Sequence, residues 1–524
     1  MTVLPPAKPP HPVAPSPNLL TRRLDGVAAL LGTALAGVAL LSACAVGPNF
    51  KAAEAPHGAG FVPAGQSPAQ TSAAEGNGGE AQRFVEGLDI PGQWWTLFQS
   101  ADLNALIDQA LAHSPTLESA QAALRQANET VAAQRGSYYP SVSGTLEAER
   151  SKSSGAAFGE PAFGSSIYTL NSAAVNVSYT LDVFGGVRRQ VEALQAQADY
   201  EKFSLEASYL SLTANIVTAA VTEASLRAQI KATEDIADSQ RRQLDIIQRR
   251  VTVGGASRAD ILQQTSTLQG TLASLPPLRS QLAQERNQLA AYVGALPSDY
   301  AGHEINLDSL TLPADLPLSL PSKFVEQRPD VRQYSALLHQ ATAQIGVATA
   351  NMLPQITLTG SYGGDAATFS GIFSPASVVW SLAASATQPI FKGGQLLHQR
   401  RAAVAAAQEA AANYRATVIT AFQNVSNALY ALQGDADALA AQVNAARAAA
   451  DSLAMVQAQF KSGAASYVQV LSSEQSYQTA AVALVKARAQ RFADTAALFQ
   501  ALGGGWWNRA DVAANSIDCC KGPM

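Results

Sequence analysis

"TQPIFKGGQLLHQRR", Thr387 to Arg401, ends an alternating, extended run in Phe-Lys-Gly-Gly and passes at once into an alanine-rich helical sequence. A strand that breaks at glycines into a helix is the layout of a phosphate-cradling loop, and equally of a plain joint. A phosphate loop follows a buried strand of a βαβ unit and carries spaced glycines. Here the strand is amphipathic, and Gly393 and Gly394 are merely adjacent. The arrangement also occurs earlier, as "TLDVFGGVRRQ" over Thr180 to Gln190, with Gly185 and Gly186 placed 208 residues before the second pair. Both pairs read as joints that bend the chain from strand to helix, where glycine supplies the backbone freedom. Pro389 suits a strand end, because it brings no N–H to satisfy.

The runs leading into these joints alternate strictly. Val142, Gly144, Leu146 and Ala148 alternate with Ser141, Ser143, Thr145 and Glu147, and Ala173, Val175, Val177 and Tyr179 with Ala174, Asn176, Ser178 and Thr180. In the second half Ile356, Leu358, Gly360 and Tyr362 alternate with Gln355, Thr357, Thr359 and Ser361, and Val378, Trp380, Leu382 and Ala384 with Val379, Ser381, Ala383 and Ser385. Period-2 alternation over about ten residues, apolar on one face and small and polar on the other, predicts a membrane-barrel strand. A soluble sandwich strand shares that pattern, so the choice rests on what surrounds the strands.

After each joint comes a helical run of unusual length. Val187 to Val251 contains neither proline nor glycine, and Gln395 to Lys461 contains only Gly434. At 1.5 Å per residue each helix is roughly 100 Å long. Val418, Val425, Leu432, Leu439, Ala446, Leu453 and Phe460 form a sustained heptad, with Phe422, Leu429, Ala436, Val443 and Ala450 between them. That is the 4-3 spacing of a coiled-coil seam. Leu205, Leu212, Ala219 and Leu226 repeat it in the first helix. Eight of the eleven residues from Ala402 to Ala412 are alanine, which lets neighbouring backbones approach closely. Such helices need partners along their length. Each ends in a turn, at Gly254-Gly255 and at Gly463, where positive φ is cheap. Ser257 and Ser466 then predict N-caps of return helices over 258–292 and 467–500, with Asp260 and Gln469 at the capping-box position. Pro276-Pro277 must kink or break the first return helix.

The chain reads twice. "SPTLESAQAAL" from Ser114 is answered by "RPDVRQYSALL" from Arg328, and "YYPSVSGTL" from Tyr138 by "MLPQITLTG" from Met352; both proline pairs, 115/329 and 140/354, are offset by 214. "GGASRADIL" at Gly254 is answered by "GAASYVQVL" at Gly463, an offset of 209. Ordered landmarks at nearly constant offset predict an internal duplication of helix, strand, strand, long helix and return helix. The organisation that follows is a signal peptide over 1–43, a tether over 44–93, a first repeat over 94–300, a linker over 301–327, a second repeat over 328–507 and a tail over 508–524.

Arg22 and Arg23 precede an apolar run from Gly26 to Leu41 that ends in Leu-Ser-Ala-Cys44. These are the parts of a secretory signal, and about 16 apolar residues fall short of the roughly 20 that span a bilayer. Leu-Ser-Ala-Cys resembles a bacterial lipobox, which makes Cys44 the lipidated N-terminus. Ala45 after it resembles the pattern sorted to the outer membrane. Residues 45–90, rich in Ala, Gly and Pro, read as an extended tether, with order beginning near "WWTLF" at Trp94.

Composition excludes several functions. Charged residues make up 14% and net charge is −5. Without residues 1–43 there remain 32 basic residues (35 less three) and 39 acidic (40 less one), net −7. Nucleic-acid binding needs a basic face, so no nucleic acid is expected. The six histidines are scattered, and Cys519 and Cys520 are adjacent at the C-terminus, so no metal-ligand spacing appears. No nucleophile–base cluster or paired-carboxylate pocket stands out, and neither enzyme activity nor a cofactor is expected. A structural coiled-coil envelope protein would account for the heptads but leaves four alternating strands unexplained.

The carrying motifs, taken together, are Cys44-Ala-Val-Gly-Pro-Asn-Phe50, Trp94-Trp95-Thr-Leu-Phe98, Arg328-Pro-Asp-Val331, Gln388-Pro-Ile-Phe-Lys-Gly-Gly394 and Leu502-Gly-Gly-Gly-Trp506. Over residues 44–507 the chain resembles the TolC-like outer-membrane factors, in particular the NodT-like lipoprotein branch that serves RND efflux pumps. The resemblance implies a mixed α/β membrane protein. A homotrimer builds one β-barrel from four strands per chain, continuous with a long antiparallel α-helical periplasmic barrel. It implies a passive exit duct for small molecules such as drugs, working with a periplasmic adaptor and an inner-membrane RND transporter, anchored in outer-membrane lipid. A type I protein-secretion factor is the alternative on the same fold. The resemblance also implies a gate at the periplasmic tip, over residues 251–260 and 461–474, constricted by side chains just past each helix turn. Asp260 matches such a position, and Arg258 is placed to pair with a neighbouring hairpin. The second repeat departs, with Gln469 at the aspartate position and Ser472 next in line. Asp260 also suits helix-dipole stabilisation and Gln469 a helix cap, so both readings stand.

Overall fold

The computed structural model describes residues 45–52, 60–63, 69–154, 165–300, 302, 304–510 and 512. The signal segment, Cys44 and the Cys519-Cys520 pair lie outside them. In chain order the elements are β1 (Arg83–Glu86), α1 (Ala101–His113), α2 (Pro115–Arg135), β2 (Ser141–Ser154), β3 (Ser165–Leu181), α3 (Gly186–Thr252), α4 (Arg258–Ala273), α5 (Leu275–Tyr292), β4 (Asp315–Leu318), α6 (Pro321–Gln327), α7 (Pro329–Ala350), β5 (Gln355–Ala366), β6 (Val378–Thr387), α8 (Gln395–Ser462) and α9 (Tyr467–Ala501). The series α2-β2-β3-α3-α4/α5 is answered by α7-β5-β6-α8-α9, as the duplicated motifs predict. The described residues divide into two compact units, each drawn from both halves: those within 45–49, 133–193 and 342–404 around a sheet, and those within 50–132, 194–341 and 405–512 around a helical core.

The sheet of the first unit has the order β2-β3-β5-β6, antiparallel throughout. Its register puts like with like. Val142 pairs with Val177, Val175 with Tyr362, Tyr362 with Trp380, and Gly360 with Leu382, so the apolar residues share one face. The opposite face carries a hydroxyl and amide ladder, with Asn176 donating to Thr145 Oγ1 at 3.1 Å and Ser361 and Ser381 hydroxyls 2.8 Å apart. The apolar face is not covered: Trp380 is 73% and Leu382 80% exposed. β2 and β6 are edge strands. Strands of 14, 17, 12 and 10 residues reach or exceed the ~9–11 that cross a bilayer in a tilted barrel.

The second unit is built on the heptad seams. Val418, Val425, Leu432, Leu439 and Ala446 of α8 and Leu212, Ile216, Ala219 and Leu226 of α3 are buried. At the centre Trp94 stacks on Phe499 at 5.3 Å, and Phe324 meets the Phe61 and Phe422 rings edge-on. After α9 the chain turns through Gly503, Gly504 and Gly505, all with positive φ. A Cβ on Gly505 would stand 2.5 Å from the Ile90 carbonyl oxygen, so the triple glycine is a place where backbone meets backbone.

Pro276 and Pro277 do break the return helix. α4 ends at Ala273, Ser274 stands between, and α5 begins at Leu275 with proline in its first turn, where the missing N–H is an orphan anyway. Order begins earlier than Trp94. β1 pairs in parallel with β4, matching Arg83 to Asp315 through Glu86 to Leu318. The fully buried Arg491 of α9 donates to the Glu80 carbonyl at 3.0 Å and to Gln82 Oε1 at 3.1 Å. In the sheet unit Arg189 holds Val46 O at 3.1 Å and Asn49 Oδ1 at 2.6 Å. A segment without apolar period is thus fixed by guanidinium bonds and strand pairing. No helix among the described residues is long and apolar enough to cross a membrane, which says nothing of the strands.

Candidate functional site

The two joints are built differently. At the first, Gly185 has φ +75° and Gly186 opens α3 with ordinary helical φ, so only one of the pair uses glycine's left-handed freedom. The Asp182 carboxylate caps the helix, accepting from Val187 N at 2.8 Å and Arg188 N at 3.0 Å. At the second, Gly393 (φ +57°) and Gly394 (φ +82°) are both left-handed. Gln388 donates to the Met352 carbonyl at 3.0 Å, and Ile390 and Phe391 stand 94% and 87% exposed.

The two helix turns, far apart in sequence, are brought together at one end of the helical unit. Gly254 (φ +75°) and Gly463 (φ +82°) are the left-handed residues of matching C-caps. Gly255 N donates to Arg250 O and Ala464 N to Gln459 O, each at 2.8 Å. Gly255 occupies the position that Ala464 fills in the other repeat, and its φ is not positive, so Gly254 alone of the pair uses the left-handed conformation. Ile247, Tyr467, Val470 and Leu471 form a small core between the hairpins. Arg250 ties them further, donating to Phe460 O at 3.3 Å and Lys461 O at 3.2 Å while its guanidinium lies 4.5 Å from the Phe460 ring centre. A cation over the carbonyl end of a helix also meets the negative pole of its dipole.

Ser257 and Asp260 form a full capping box: Asp260 Oδ2 accepts from Ser257 N at 2.8 Å, and Asp260 N donates to Ser257 Oγ at 3.2 Å. Gln469 Oε1 accepts from Ser466 N at 2.7 Å in the second repeat. Arg258, Gln469 and Ser472 are exposed, and Asp260 is half-buried. The turn therefore presents all four residues at one end of the unit, with Asp260 and Gln469 at equivalent positions. Sequence reasoning did not find Arg250, Gln264, Tyr467 or Glu474. The Tyr467 hydroxyl donates to Gln264 Oε1, and the Gln264 amide to Gln240 O at 3.0 Å. Burial pushes the Tyr467 phenol up, and pushes the Glu474 carboxyl up from 4.5 to about 7. No group of three or more His, Cys, Asp or Glu able to hold a metal exists among the described residues.

A sheet with an uncovered apolar face, long seamed helices and a capped double turn at one end together define a β-barrel channel with a helical duct. The chain belongs to the outer membrane efflux protein family, whose model matches residues 106–295 and 320–504. It acts at the outer membrane as a TolC-like efflux channel. The chain is 28% identical to the probable efflux pump outer membrane protein TtgC of Pseudomonas putida over 89% of this chain and 97% of that protein. It superposes on the Campylobacter jejuni CmeC outer membrane channel with a TM-score of 0.80 at 21% identity, covering 91% of this chain and 98% of that one. On the open state of the Neisseria gonorrhoeae MtrE outer membrane channel the TM-score is 0.74 at 26% identity, covering 88% and 99%. Other relatives, 25–28% identical, are named for antibiotics, toluene, pyoverdine and cations.

Proposed function

We propose that three copies of this chain form the gated exit duct of a tripartite RND-type pump that passes small molecules across the outer membrane. The observation that carries this is the sheet: four strands with two open edges and an uncovered apolar face leave no stable isolated barrel. Joining β6 of one copy to β2 of the next closes the edges, turns the Trp380 and Leu382 face to lipid and the Ser361–Ser381 ladder to a wet lumen. The exposed Ile390 and Phe391 beside the second joint, and the alanine-rich start of α8, suit the same packing between copies. Lipid on Cys44 adds an anchor. The helix turns meet a periplasmic adaptor, and an inner-membrane transporter drives export. The duct makes and breaks no bond.

The names of relatives span toluene, an antibiotic, pyoverdine and cations. That range supports a duct that takes what its transporter delivers. The test is complementation: a Gram-negative strain stripped of its own ducts regains resistance to dyes and antibiotics when this chain is expressed with its cognate adaptor and transporter. Resistance that stays at the level of the stripped strain, with the protein folded in the outer membrane, contradicts the proposal.

A further inference from the structure

Above the tip core, α3, α8 and α9 enclose a cavity of about 310 Å³. Two of its lining side chains are polar, almost fully buried and without a partner. Glu474 of α9 is 4% exposed, and neither carboxylate oxygen is hydrogen-bonded. Gln240 of α3 is 1% exposed, and neither its amide oxygen nor its amide nitrogen is hydrogen-bonded. Ser239 and Tyr477 also line the cavity, yet neither hydroxyl bonds to Glu474 or to the Gln240 amide. Gln264 gives one amide N–H to the Gln240 backbone carbonyl and accepts from Tyr467 at its oxygen; its second N–H, turned toward Glu474, offsets the burial of that carboxylate only in part. Buried polar groups are nearly always satisfied, and an orphan pair facing one cavity marks a missing ligand.

We infer that this cavity binds a small primary ammonium cation carrying a short alkyl chain. The ammonium has three N–H donors and no acceptor; the two Glu474 oxygens and the Gln240 amide oxygen are three buried acceptors. A charge-assisted bond to the carboxylate supplies most of the selectivity. The alkyl chain lies against Ala232, Ile236, Leu453 and Ala481, which form the apolar lining. Asp235 at the rim adds negative charge, although Lys231 already holds it at 2.5 Å. Two side-chain ligands are too few for a dehydrated divalent metal. The inference does not depend on the trimer or on the gate.

Binding requires the ionised carboxylate, so it tightens as pH rises. The other titratable groups near Glu474 are Asp235 of α3 and Tyr477 and Tyr467 of its own helix, with Asp260 of α4 acting on Tyr467; α8 lines the cavity with Leu453 alone.

The experiment titrates n-butylammonium into the full mature chain in detergent, read by saturation-transfer NMR. One saturable site per chain is expected, tighter at about pH 8 than at about pH 6. The isosteric Glu474→Gln variant should weaken it by about tenfold or more. Leu453→Trp fills the cavity while leaving the carboxylate in place, and should abolish binding, which keeps the test decisive if Glu474→Gln does not fold. Tetramethylammonium, which has no N–H donor, and n-butanol, which has no charge, should bind far more weakly. The inference is overturned by the absence of saturable binding, by equal affinity for either control, or by undiminished binding in the variants.

Discussion

At the residue scale the chain depends on a few positions where no alternative fits. Gly505 has φ +70° and a Cβ there would meet the carbonyl oxygens of Ile90 and Pro91 at 2.5 and 2.6 Å. Gly505→Ala is expected to destabilise the folded chain by about 2 kcal/mol or more, because left-handed strain and a backbone clash add. Limited proteolysis and thermal melting of the variant check this. Glu474 makes a prediction of the opposite kind. Its raised pKa means that the folded chain holds this proton more tightly than the unfolded chain. The resulting stability is fully present below about 4.5 and is lost as pH rises through about 7. Wild type should therefore lose stability relative to Glu474→Gln across that window, and melting temperatures at several pH values that run parallel would count against the raised pKa. Neither residue was legible beforehand. The triple glycine stood out as a motif, but its reason is a contact with a segment some four hundred residues away in sequence, and Glu474, though it shares a helix face with Tyr467, Val470 and Leu471, is a lone charged residue that no local pattern marks as buried.

At the element scale the sequence was read well wherever one period ran long. Two helices of 67 and 68 residues and the break before Pro276 appear where pattern placed them, within a few residues, and so do four alternating strands, although β2 runs six residues beyond its alternating stretch and β3 begins eight before its own. Short or aperiodic pieces were missed. β1 and β4 are four residues each and find one another across 232 positions, so no local signal precedes the pairing. The capping boxes were legible because their chemistry is local, but that same chemistry complicates the gate. Asp260 both caps α4 and stands at the expected constriction, and the two roles separate experimentally. Ser257→Ala removes the cap hydroxyl, at a cost of about 1 kcal/mol, yet keeps the carboxylate. If Asp260 holds the gate, Asp260→Ala raises single-channel conductance in planar bilayers and Ser257→Ala does not. Equal effects from both would reduce Asp260 to a cap.

At the scale of the whole molecule, the single chain is incomplete in a directional way. Its sheet has one face made for lipid, one for water, and two edges with unused backbone groups. Leu382→Lys, on the apolar face, should cost barrel assembly about 2 kcal/mol, whereas Ala383→Lys on the other face should be tolerated; the yield of folded protein in outer-membrane fractions compares the two. Family membership and the pattern of seams agree with an assembly that the sequence implied through its duplication, since two similar halves per chain give a ring of near-equivalent units. The working form proposed for this channel contains three chains. Native mass spectrometry of the detergent-extracted protein measures it directly. A complex of three chains, with no stable folded monomer, is expected. A folded single chain, or a closed complex of any other number, would contradict it.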